Sequence, residues 1–224
     1  HFVMTLHSGC QSTLAMLSKY PALWHTNSFI SVAILCLAMA CTQDDTTQSS
    51  TVRGAPSTTY DEFWATLQEL CGQAFPGQLI EANPSDELLT NQVLIMHVRE
   101  CQEDFVRIPF HVGNDHSRTW VISRQADGLR LKHDHRHEDG TEDEITQYGG
   151  DTTSPGSRSR QDFPADAHTA SLVPTATDHI WSLEINAGRT FLYSLRNQIT
   201  GRRVRLEFNL TEPIETLPPA PWGA

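Results

Sequence analysis

The sequence predicts a mainly β protein, with one N-terminal helix followed by an antiparallel meander closed as a barrel. Three observations carry that prediction. From Leu88 onward the apolar period is two rather than 3.6, and nine short runs repeat it with mostly short links between them. The last three runs alternate cleanly: Trp181/Leu183/Ile185, Phe191/Tyr193/Leu195 and Val204/Leu206/Phe208/Leu210 each define one face turned to a core. No helical pattern interrupts the nine runs, which excludes parallel crossover folds and leaves a closed or sandwiched antiparallel sheet.

The elements follow in chain order. The chain opens on His1, and Met4 and Met16 are both candidate starts. Phe29–Ala40, "FISVAILCLAMA", is apolar apart from Ser31, with Lys19 and His25 as a thin basic stretch before it. A helix of that length covers about 18 Å, short of a ~30 Å hydrocarbon core but suited to the apolar region of a signal peptide. It ends in "LAMAC", small residues leading into Cys41. This resembles the lipobox of bacterial lipoproteins. The resemblance implies acylation of Cys41, a membrane partner through that lipid, and a place in the bacterial cell envelope. Plain secretion after cleavage at Ala40 is the alternative. The expected organisation is residues 1–40 as signal peptide and upstream segment, 41–58 as lipid-attachment cysteine and tether, 59–216 as barrel and 217–224 as a Pro-rich tail.

The tether, "TQDDTTQSSTVRGAPST", is polar and without apolar period. Thr58 or Thr59 then caps a helix whose first turn carries Asp61 and Glu62, where carboxylates suit the helix dipole. Phe63, Leu67, Leu70 and Cys71 fall at helical spacing, Trp64 lies at the edge of that stripe, and "FPG" at 75–77 is expected to stop the element. The expected strands are "VLIMHVREC", "DFVRIPFHV", "TWVISR", "LRLKHDHRH", "EITQYGG", "TASLV", "IWSLEIN", "TFLYSLR" and "RVRLEFNL". "NAGR" and "QITGR" read as hairpin turns, and 150–166 as one long loop. Export removes Cys10 and Cys36 and uses Cys41 for lipid, leaving Cys71 and Cys101, an even remainder that an oxidising compartment joins as a disulfide. A reactive thiol is the alternative.

A helix followed by a strand meander resembles the calycin arrangement of lipocalins, and implies a calycin-like barrel. From Trp64 to Leu210, "LKHDHRHEDGTED…YGGDT…FPAD" is similar to a stretch of bacterial envelope proteins without an assigned activity. That similarity implies the address and no chemistry.

The densest polar segment is "LRLKHDHRHEDGTEDE", residues 129–144. On a strand Leu129, Leu131, His133, His135 and His137 share one face, and Asp139-Gly140 is the expected turn pair. Two histidines at i and i+2 project about 6–7 Å apart and can reach one ion if a neighbour adds a third ligand. His135, His137 and Glu142, followed by Gly149, resemble the first motif of cupins, and Pro164 with His168 resembles part of the second, without its glycine. The resemblance implies a double-sheet barrel, a divalent transition metal and a metal-dependent enzyme. A second site candidate comes from the polar faces of neighbouring strands. If these line the lumen, His97, Arg99, Arg107, His111 and His133 make a positive interior suited to a carboxylate or phosphate. If the apolar phase points inward, as burial preferences favour, they are outer surface. A plainly solvated hairpin accounts for the segment as well.

A formal net charge of −11 with no basic patch argues against nucleic acid as a partner. No P-loop, dinucleotide fingerprint, nucleophile elbow or paired-carboxylate motif occurs, and Ser117 beside His116 does not make a triad. The expectation is an exported, lipid-anchored barrel that binds a small ligand without catalysis. A cupin-like enzyme and a structural envelope protein are the alternatives.

Overall fold

The computed structural model of the protein describes residues 57–224. Residues 1–56, which hold the expected signal peptide, Cys41 and most of the expected tether, lie outside the described residues. Helix α1 (Thr59–Gln68) starts where the sequence places it. The Thr58 hydroxyl accepts from the Asp61 backbone N–H, and the Asp61 carboxylate accepts from the Thr58 N–H. This reciprocal cap contributes about 1 kcal/mol. Phe63, Trp64 and Leu67 are buried on one side of the helix.

Eleven strands follow: β1 (Ala74–Glu81), β2 (Leu94–His97), β3 (Glu100–Cys101), β4 (Phe105–Val112), β5 (Asp115–Gln125), β6 (Gly128–His135), β7 (Tyr148–Asp151), β8 (Arg160–Pro164), β9 (His179–Asn186), β10 (Thr190–Asn197) and β11 (Arg203–Asn209). They form one antiparallel sheet in the order β7-β6-β5-β4-β2-β1-β11-β10-β9-β8, with β3 paired to β4. The sheet is nearly closed into a barrel. Its two edge strands meet where the Gly149 carbonyl accepts from Asp166 N–H and its N–H donates to the Thr169 hydroxyl. Gly150 permits this approach, since a Cβ there would lie 1.8 Å from the Pro164 carbonyl oxygen.

Three elements differ from the sequence expectation. "TASLV" is not a strand but part of helix α2 (Ala167–Leu172). Asp166 caps it by accepting from Thr169 N–H, and this local bond outweighs the β-branched composition. "FPG" lies inside β1, where Gly77 pairs with Phe208 and a Cβ would stand 2.5 Å from that ring. Within 150–166, residues Arg160–Pro164 form β8 and pair with β9.

The predicted inner faces of β9, β10 and β11 are observed, in rows set by register: Ile185–Phe191–Phe208, then Leu183–Tyr193–Leu206, then Trp181–Leu195–Val204. On the other half of the wall, Phe110 stacks on Trp120 at 4.9 Å and Trp120 on Tyr193 at 4.4 Å. Helix α1 covers one end of the barrel: Asp61 pairs with Arg124, and the Arg124 guanidinium lies 5.7 Å from the Trp64 ring centre. The Cys71–Cys101 disulfide is formed, tying the turn after α1 to β3. Cys71 itself is exposed rather than buried on the helix stripe. The helix ends at Gln68, so Cys71 is off the helix stripe, and Gly72, at φ +79°, turns the chain into β1.

Candidate functional site

The end of the barrel opposite α1 is open. A cavity of about 490 Å³ enters there between the strands and the connecting segments. Its floor is Phe110, Trp120, Tyr193 and Leu206, and its walls are Trp181, Leu195 and Val204. Leu88, Ile145 and Val173 stand around the opening. Beside the enclosed His133, the polar groups sit near the mouth: Asp86, Arg118, His135, Asp143, Tyr148, His179 and Arg202.

Alternation places them. β5 pairs with β6 so that Trp120 faces His133 and Arg118 faces His135, all on the inner side with Phe110 of β4. His133 is enclosed. Its Nε2 meets the Tyr193 hydroxyl at 2.9 Å, its Nδ1 meets the Tyr148 carbonyl at 3.1 Å, and its ring stacks on Tyr148 at 4.5 Å. Burial lowers its pKa to about 3, so it is a neutral structural imidazole. His135, nearer the opening, meets the Tyr148 hydroxyl at 3.0 Å through Nε2, and burial lowers its pKa as well. Burial raises the Tyr148 phenol to about 12.

The other residues singled out from the sequence lie elsewhere. His97, Arg107 and His111 are on the outer side of β2 and β4, as the apolar-inward phase requires, and Arg99, between β2 and β3, is exposed, so only His133 of the five faces the interior. Arg107 donates to Asp134 at 2.8 Å on the outer face of β6. His97 and His111 are nevertheless 3% and 2% exposed. Residues 210–224 account for this: the segment is tied to Ala74 of β1 through Ile214 N–H and to His116 through Trp222 N–H. These ties lie on β1 and β5, the strands on either side of β2 and β4 in the sheet. His111 Nδ1 lies 2.6 Å from His116 Nδ1, and burial takes the His111 pKa down to about 4.

His135, His137 and Glu142 are not brought together as one ligand set. Strand β6 ends at His135, whose ring enters the cavity, while His137 is exposed and Glu142 pairs with Arg136 at 3.1 Å. His137 instead gathers with Asp143 and Glu144 within 4.8 Å, at the surface. Pro164 is in β8, and His168 is exposed on α2.

Six mouth residues are not singled out by the sequence: Asp86, Arg118, Asp143, Tyr148, His179 and Arg202. Three carry a readable signal, since the inward phase of Trp120, of Trp181 and of Val204 extends by one step to Arg118, His179 and Arg202. Tyr148 had none, because β7 is only Tyr148–Asp151. Comparison with protein-family models, with curated proteins and with solved structures finds no match to the chain.

Proposed function

We propose that the protein is an exported, lipid-anchored barrel that holds a small, mostly apolar ligand in its open end without transforming it. The observation that supports this most is the cavity of about 490 Å³, whose volume lies within the usual ligand-site range and whose apolar floor lies below convergent polar groups at the mouth. The inner histidines favour holding over catalysis. His133 has both ring nitrogens engaged, His135 is bonded to Tyr148, and burial keeps both imidazoles toward the neutral form. A mature domain behind a tether of residues 41–58 would sit at the membrane surface with room to turn.

The binding test uses the dye 1-anilinonaphthalene-8-sulfonate, which brightens in apolar sites. Saturable one-to-one brightening is expected, and Val204→Trp, which fills the cavity wall, should abolish it. Unsaturable brightening, or equal binding by Val204→Trp, would refute the cavity reading. For the anchor, a palmitate analogue should label the protein in bacterial cells and fail to label Cys41→Ser. A protein that stays unlabelled and soluble is secreted, not anchored.

A further inference from the structure

The next row of inward positions above Trp181–Leu195–Val204 is His179–Asn197–Arg202. His179 pairs with Asn197 in the β9–β10 register, and Asn197 N–H donates to the Arg202 carbonyl, which continues the β10–β11 register by one more pair. Neighbours across such a row stand about 5 Å apart, so His179 and Arg202 flank Asn197 from both sides. Asn197 is spent on its own turn, its side-chain oxygen accepting from Ile199 and Thr200 N–H. The flanking pair is not. His179 is 7% exposed and lines the cavity, yet its imidazole makes no hydrogen bond among the described residues. The Arg202 Nη2 donates to Asp86, but its Nε is buried with no partner. Both side chains thus line the cavity at its mouth with donor capacity unspent, and the buried Arg202 Nε is costly to leave unmatched.

What would satisfy them is an acceptor at the mouth with hydrocarbon below it. The aromatic faces on the floor are already stacked on each other through Phe110, Trp120 and Tyr193, while Leu88, Leu195, Val204 and Leu206 offer aliphatic wall. A flexible alkyl chain suits that surface better than a flat ring. From the His179 row to the Tyr193–Leu206 row is four residues along the strand, about 13 Å.

Resting on the ligand-holding reading, we propose that the ligand is a medium-chain alkyl carboxylate. Its head accepts hydrogen bonds from Arg202 and His179, and its chain lies along Trp181, Leu195 and Val204. The guanidinium has donors left after Asp86, and a carboxylate makes shorter, stronger bonds to it than a neutral oxygen does.

The test is displacement of the same dye from the full chain carrying Cys41→Ser, by dodecanoic acid, dodecanol and dodecylamine. The acid is expected to bind at least roughly tenfold more tightly than the alcohol, with the amine weakest. Arg202→Met and His179→Leu should each remove most of that preference by weakening the acid more than dodecanol, and His179→Leu leaves the Asp86–Arg202 pair intact if Arg202→Met fails to fold. Equal binding of acid and alcohol, or a preference unaltered in His179→Leu, overturns the head-group assignment but leaves the cavity reading standing. Dye binding without displacement by any of the three overturns the alkyl class. A protein that does not bind the dye refutes both readings.

Discussion

His111 should make the protein sensitive to acid, by an amount that can be worked out. In the folded chain burial is the main cause holding its pKa near 4; His116, His97 and Arg99 lower it further, and Asp115 opposes them. In the unfolded chain it titrates near 6.5. The folded pKa is the lower one, so the unfolded state binds the extra proton. The stability His111 contributes is complete above about pH 6.5 and is lost as pH falls toward 4. At about pH 5 the unfolded side chain is almost fully protonated and the folded one almost neutral, which corresponds to a loss of about 2 kcal/mol from this residue alone. The assay is urea denaturation followed by tryptophan fluorescence at about pH 7.5 and about pH 5, on the natural chain and on His111→Phe. The variant keeps a flat ring beneath residues 210–224 and cannot take up a proton. Its stability difference between the two pH values should be smaller than that of the natural chain by about 2 kcal/mol. Identical differences in the two proteins would show that His111 is not covered as described.

Trp222→Ala should act on the same group from the other side. Its N–H is bonded to the His116 carbonyl and its ring lies 6.4 Å from the His116 ring, so loosening it admits water to His111, lowers stability at neutral pH and narrows the difference between the two pH values. Replacing Cys71 and Cys101 together by alanine opens a loop with a sequence separation of 30, which loop-closure entropy converts to a loss of about 3–4 kcal/mol. A calorimetric melting temperature unchanged by that double variant would refute the estimate. Tyr193→Phe removes the partner of His133 Nε2, a fully enclosed nitrogen, and should cost about 1–3 kcal/mol in a denaturation midpoint. Gly77→Ala, forced against the Phe208 ring, should lower stability to urea by about 1–3 kcal/mol, and an unchanged denaturation midpoint would refute the close approach.

Much of this architecture is legible residue by residue. The two-residue period is imposed by the backbone, so the inward faces of β9, β10 and β11 and the inward run Leu129–Leu131–His133–His135 follow from sequence alone. The cap at Thr58 is equally local, and the cysteine pair follows from counting. The ligand-site set drawn from the polar faces was less legible. His97 and His111 read as either lumen or ordinary surface, and they are neither, since a segment about a hundred residues later in the chain lies over them. The same holds for closure at β7 and β8, which depends on Gly149 meeting Asp166 and Thr169. It holds too for the row His179–Asn197–Arg202, which exists only once β9, β10 and the start of β11 are in register. By itself the sequence determined the alternation of each strand, because side-chain direction is a property of the local backbone. Only the tertiary structure decided which barrel end stays open, which outer face is covered and which polar groups are left without partners. Those outcomes depend on which distant segments pair, and no single segment carries that information.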